Sequence, residues 1–187
     1  MAENRRSVIE ILTQDHREVE DMFTQLTAET DPEKRRRIAD DVTIELVRHA
    51  IAEEMHLYPA VRRHVPDGDA IADKELSDHA EIERVLKELE KMDTATGADF
   101  DTLVRRLVED VTSHVRDEES NLFPALARHA TPDDLLELGK KVESAKAKAP
   151  TRPHPSAPDR PPLNKLLAPG AGLVDRVRDR LSGRGRH

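Results

Sequence analysis

The chain has 187 residues, of which 36% are charged and 2% aromatic, with no cysteine and a net charge of −8. That length suits one domain of ordinary size with some excess, and the scarcity of aromatic residues favours helix over sheet. The lack of cysteine excludes disulfides, thiolate metal sites, Fe–S clusters and cysteine nucleophiles, so any metal must be held by nitrogen and oxygen.

Ile9, Leu12, Val19, Phe23 and Leu26 recur at three- and four-residue steps, and His16 fills the step they leave vacant. This predicts a first helix with His16 in its buried seam. Asp31-Pro32-Glu33 reads as an N-cap followed by proline at the first helical position. It opens a second helix, ending near His64, whose inner face is Ile38, Val42, Leu46, His49, Glu53 and Leu57. A third helix is expected over about residues 70–92, with Ile71, His79, Ile82, Leu86 and Leu89 inward. After a loop at 94–99, a fourth runs to about residue 129 and turns Phe100, Leu103, Leu107, Val111, His114, Glu118 and Leu122 inward. Pro59 and Pro124 fall near the ends of the second and fourth helices, where each removes an internal hydrogen bond and kinks or stops the helix. Thr131-Pro132-Asp133-Asp134 caps a short fifth helix over 132–148. The expected fold is all-α: an up-down-up-down four-helix bundle, a short fifth helix and a disordered basic C-terminal tail.

Residues 1–148 form the expected domain, with helix pairs at about 7–64 and 70–130. A proline-rich linker follows at 149–170, then a basic amphipathic tail at 171–187. Residues 147–187 carry nine Lys or Arg against three Asp, a balance of +6 that leaves −14 on the rest. An acidic body repels nucleic acid, so no specific nucleic-acid partner is expected, and a weak partner contact falls to the basic tail. No segment approaches the roughly 20 apolar residues of a membrane span, and the first 20 residues lack the apolar run of a secretion signal. The expectation is a soluble cytoplasmic monomer or homodimer.

The most telling feature is a duplication. His49 to Ala60 and His114 to Ala125 both read H-x-x-x-E-E-x-x-L-[YF]-P-A, 65 residues apart. Upstream of each, residues 15–20 and 78–83 share D-H-x-E-[VI]-E. A His and a Glu four apart share one helix face, so two copies bring His16, His49, Glu53, His79, His114 and Glu118 to the middle of one bundle. As core histidines alone they leave Glu53 and Glu118 as buried carboxylates that require a cation. Four imidazoles and two carboxylates suit iron, manganese or zinc. Six ligands are natural for two ions, each taking two His with both Glu bridging.

These motifs resemble those of hemerythrin-like proteins with HHE cation-binding domains, over about residues 7–130. The resemblance implies a diiron centre, two non-haem iron ions with an oxo or hydroxo bridge, in preference to manganese or zinc. It assigns His16, His49, His79 and His114 as terminal ligands and Glu53 and Glu118 as bridges. It further implies a small oxidant or diatomic ligand, namely dioxygen, peroxide or nitric oxide, with a peroxide- or nitric-oxide-consuming oxidoreductase as the leading specific form. An oxygen, iron or redox sensor and a metal buffer are the alternatives. Oxygen-carrying members have H-x-x-x-H on the third helix, whereas this chain has Glu83 four residues after His79. One iron therefore lacks a fifth histidine, which favours turnover over reversible oxygenation.

Four more residues are candidates. Glu20 and Glu83 each lie one turn after a ligand His, as extra ligands, imidazole acceptors or surface ion-pair partners. Tyr58 is replaced by Phe123 in the other repeat, which argues for packing, yet its hydroxyl also makes it a catalytic candidate as ligand or as proton and electron donor. His56, two turns from His49, is a candidate for an access path or its rim. Glu54 and Glu119 sit one step off the seam, facing solvent or the imidazoles.

Overall fold

The computed structural model describes residues 6–153, so the tail at 171–187 and nearly all of the linker lie outside the described residues. Among the described residues five helices follow in chain order. α1 is Val8–Ala28, α2 spans 32–64, α3 is Gly68–Lys91, α4 spans 98–129 and α5 is Pro132–Lys148. Local chemistry sets their starts. At α1 the Ser7 hydroxyl accepts from the Glu10 N–H while the Glu10 carboxylate accepts from the Ser7 N–H, a reciprocal capping box. The Asp31 carboxylate accepts from the Glu33 and Lys34 N–H groups, and the Thr131 hydroxyl accepts from the Asp134 N–H. Proline follows Asp31 and Thr131, where its missing N–H costs nothing.

Neither α2 nor α4 is uniform. Each widens into a π turn, at Glu53–Leu57 and Glu118–Leu122, then returns to α-helix at Tyr58–His64 and Phe123–His129. The Tyr58 N–H bonds to the Glu53 carbonyl, and the Phe123 N–H to that of Glu118. Pro59 and Pro124 therefore do not stop the helices; the wide turn just before each absorbs the missing donor and the ring's bulk. The turn also changes register. Five residues along a straight α-helix, Tyr58 would be rotated about 140° from Glu53; here its hydroxyl comes within 3.3 Å of the Glu53 carboxylate.

The apolar core falls into two clusters. One gathers Val8, Leu12, Leu57, Leu76, Leu122, Leu126 and Val142; the other gathers Val19, Phe23, Val42, Leu86, Phe100 and Leu107. In sequence His16 lies between Leu12 and Val19, and His79 between Leu76 and Ile82, so a polar layer separates the two clusters. α5 packs on α1, α2 and the first π turn. A Cβ on Gly139 would fall 2.4 Å from the Arg6 carbonyl oxygen, so glycine is what admits this approach. Residues 149–153, placed in the linker by composition, lie against the bundle: Ala149 and Thr151 are buried, and Arg152 pairs with Glu90 at 2.7 Å.

Candidate metal centre

The polar layer is built from all four long helices. α1 contributes His16 and α3 His79. α2 contributes His49 from its last α turn and Glu53 at the start of its π turn. α4 contributes His114 and Glu118 from the matching places. All six are buried, the two Glu with no exposed surface. Donor atoms of His16, His49, Glu53 and Glu118 converge within 4.8 Å of one another, as do those of Glu53, His79 and His114 and those of Glu75, His114 and Glu118.

Each imidazole presents Nε2 to the centre. His49 Nε2 lies 3.1 Å from Glu53 Oε1, and His79 Nε2 lies 3.3 Å from Glu53 Oε2, so the two oxygens of one carboxylate face different histidines. Glu118 Oε2 lies 3.4 Å from His16 Nε2 and 3.7 Å from His114 Nε2. The Tyr58 hydroxyl sits among them, 3.0 Å from His79 Nε2, 3.2 Å from Glu118 Oε1 and 3.3 Å from Glu53 Oε2.

Each Nδ1 faces outward to a carboxylate. His16 Nδ1 is 2.8 Å from Glu119, His49 Nδ1 is 3.3 Å from Asp15, and His79 Nδ1 is 3.1 Å from Glu54. His114 Nδ1 is 2.9 Å from Glu75 Oε2 and 3.8 Å from Asp78. Cations anchor this outer ring: Arg17 on Glu119, Lys146 on Asp15 at 2.6 Å, and Lys74 on Asp78 at 2.9 Å. A carboxylate on Nδ1 fixes the tautomer, aims the ring and raises the basicity of Nε2, the arrangement that serves a metal-bound histidine.

Electrostatics follow from this packing. Burial alone would lower the pKa of His49, but Glu53 and Asp15 outweigh it and push it up to about 10. Burial is likewise outweighed at His79 by Glu53 and Glu54, giving about 10, and at His114 by Glu118, Asp78 and Glu75, giving about 9. Burial would raise Glu53, yet His49 and His79 hold it well below the usual carboxylate range. Tyr58 is driven well above its ordinary value by burial and by Glu118 and Glu53.

His16 Nε2, Glu53 Oε1 and Glu118 Oε2 are buried and have no hydrogen-bond partner. Orphaned inward-facing nitrogen and carboxylate oxygen are costly without a ligand. They form the hard-to-borderline donor set that a divalent or trivalent cation accepts, so the residues present fit a metal.

The remaining candidates divide. Glu20 is exposed and pairs with Arg17 at 2.7 Å, away from the centre. Glu83 is half-buried and outside the converging groups. His56 lines a cleft of about 420 Å³ under α5, with Met55, Lys140, Lys141 and Lys148. Asp15, Glu75 and Asp78, none of them singled out from sequence, are outer partners of the imidazoles. Their visible signals were the Asp that precedes His in both D-H pairs and the Glu four residues before His79.

A four-helix bundle with a buried His and Glu layer of this kind defines a metal-binding protein. A family model described as the hemerythrin HHE cation binding domain matches residues 7–126, and the chain belongs to that family. An uncharacterized hemerythrin-like protein of Schizosaccharomyces pombe is 26% identical over 173 residues, covering 92% of this chain and 85% of that one. A protein named DNA nickase from Nostoc is 32% identical over 143 residues; the match takes in 76% of this chain but 40% of the nickase. The fold is shared with a crystal structure of a hemerythrin HHE cation binding domain-containing protein from Mycobacterium kansasii. The two are 19% identical with a TM-score of 0.67, over 76% of this chain and 86% of that one.

Proposed function

We propose that this is a non-haem diiron protein that binds or reacts with a small oxidant or diatomic ligand. His16 and His49 would hold one ion and His79 and His114 the other, with Glu53 and Glu118 shared. The observation that carries this reading is the buried layer itself. Four Nε2 atoms and two carboxylates face one another, and each imidazole has a carboxylate behind it. Nitrogen and carboxylate donors in this number suit two ions of iron's class. Iron held there would supply redox chemistry toward dioxygen, peroxide or nitric oxide.

The chain's own residues have separable tasks. Asp15, Glu54 and Glu119 take the outward imidazole N–H groups and so turn the Nε2 lone pairs inward. The apolar clusters on either side keep bulk water from the layer. Tyr58 holds a proton at the centre; with its pKa raised, the phenol stays protonated near neutral pH and serves as a hydrogen-bond donor beside Glu53 and Glu118. A hydroxyl that can hand a proton to a bound ligand at the centre favours turnover of peroxide or nitric oxide, in which protons are consumed or moved.

Mixing the reduced, iron-loaded protein and an excess of chemical reductant with peroxide, and separately with nitric oxide, in a stopped-flow spectrometer tests the reading. Multiple-turnover loss of one substrate, slowed at least roughly tenfold in Tyr58→Phe with its iron retained, is the expected result. Inertness of the iron-loaded protein to peroxide, nitric oxide and dioxygen would contradict it.

A further inference from the structure

The duplication makes the two halves of the centre nearly interchangeable, and the exceptions are informative. Glu119 on His16 corresponds to Glu54 on His79, and Asp15 on His49 corresponds to Asp78 on His114. The last pair is stretched to 3.8 Å, and Glu75 stands closer, with Oε2 at 2.9 Å from His114 Nδ1. Aligned on the D-H pairs, Lys74 and Glu75 occupy the places held by Ile11 and Leu12 in the first half; aligned on the H-x-x-x-E motifs, Asp117 occupies that of Ala52. Ile11, Leu12 and Ala52 are buried in the apolar cluster that α5 covers. Their counterparts form a polar cluster: Lys74 reaches Asp117 at 2.7 Å, Asp78 at 2.9 Å and Glu75 at 3.3 Å.

Glu75 is the member of this cluster that reaches inward. It has no exposed surface, and a buried carboxylate introduced where its twin is leucine is costly unless it has a task. Neither Glu75 Oε2 nor His114 Nδ1 has an aligned hydrogen bond, although they are in contact. Their 2.9 Å separation is nevertheless that of a hydrogen bond.

We infer that Glu75 is a positioning residue for His114 and makes the His79/His114 metal position inequivalent to the His16/His49 position. The inference rests on the two-ion reading above. Glu75 accepts the His114 Nδ1–H as the ring directs Nε2 to an ion, so that this half carries a buried carboxylate the other half does not have.

The test is anaerobic competition for ferrous ion between the full chain and a calibrated chelator, on wild type, Glu75→Leu and Glu75→Gln. Each is accompanied by nitrogen NMR of the imidazole tautomers in the metal-free protein above about pH 10, where His114 is neutral. Leucine installs the first half's own residue, and glutamine keeps a carbonyl acceptor for the N–H but is a poor metal ligand. The expected result is two ions per wild-type chain with unequal affinities. Glu75→Leu should weaken one of them roughly 10- to 100-fold and leave the other within about twofold. Glu75→Gln should recover most of the loss, and the Nδ1–H population of His114 should fall in Glu75→Leu alone. Equal weakening of both ions, no weakening of either, or a glutamine variant as impaired as leucine would overturn the inference, the last by making Glu75 a direct ligand. Failure of wild type to take up two ions would instead defeat the two-ion reading, and the inference with it.

Discussion

Replacing Tyr58 by phenylalanine removes one oxygen from the centre of the polar layer and little else, because the other repeat already holds a phenyl ring at the equivalent Phe123. In the metal-free protein His79 is protonated near neutral pH, so its Nε2–H donates to the phenol oxygen at 3.0 Å while the phenol donates to Glu118 at 3.2 Å or Glu53 at 3.3 Å. A hydroxyl has one proton, so two of the three contacts are hydrogen bonds at any moment. A hydrogen bond to a charged partner nets about 1.5–3 kcal/mol, and the variant recovers part of that because no phenol need be desolvated, leaving about 2 kcal/mol. In a folded unit of this size that is a fall of roughly 4–8 °C in Tm. Thermal unfolding of chelator-stripped wild type and Tyr58→Phe at pH 7 measures it. A change below about 0.5 kcal/mol, the level of an ordinary surface substitution, would refute the placement of the hydroxyl among charged partners.

Other outcomes follow from the same geometry. The raised pKa values of His49, His79 and His114 stabilise the metal-free fold fully below the ordinary histidine value of about 6.5, and that contribution is lost as pH rises through 9 to 10. Metal-free protein should therefore lose Tm steadily from pH 7 to 10, while metal affinity strengthens over the same range because the imidazoles must shed protons to bind. At the acid end the Asp78 pKa is lowered to about 2, by His114 and Lys74 against burial, so its contribution persists down to about pH 4 and fades through pH 2. Gly139→Ala places a Cβ 2.4 Å from the Arg6 carbonyl oxygen; urea unfolding should register a loss of about 1–3 kcal/mol as α5 is pushed from α1. Glu54→Ala should weaken metal binding by roughly 10- to 100-fold in chelator competition, whereas Glu20→Ala, on the exposed Arg17 pair, should leave it unchanged.

Much of this architecture was legible in the sequence because helical periodicity and ligand spacing obey the same geometry. The seam positions of His16, His49, His79 and His114 follow from the three- and four-residue steps around them, and Asp31-Pro32 and Thr131-Pro132 marked helix starts where caps form. What escaped was whatever a straight α-helix cannot express. The π turns begin at Glu53 and Glu118 and end before Tyr58-Pro59 and Phe123-Pro124, so the register of Tyr58 relative to Glu53 was hidden. Asp15, Glu75 and Asp78 reach histidines on neighbouring helices, and such contacts depend on the pairing of helices, not on any one helix's pattern. The face of the bundle that α5 covers was equally out of reach, since two similar helix pairs offer two similar faces.

The most direct test of the account is the metal content of protein purified from iron-supplied cells, read with its visible absorption spectrum, for wild type, His49→Ala and Glu118→Ala. Two irons per wild-type chain with an oxo-bridge band are expected, with loss of the band and a lower iron content in both variants. Protein without metal, or with one ion that is indifferent to His49 and Glu118, would contradict it.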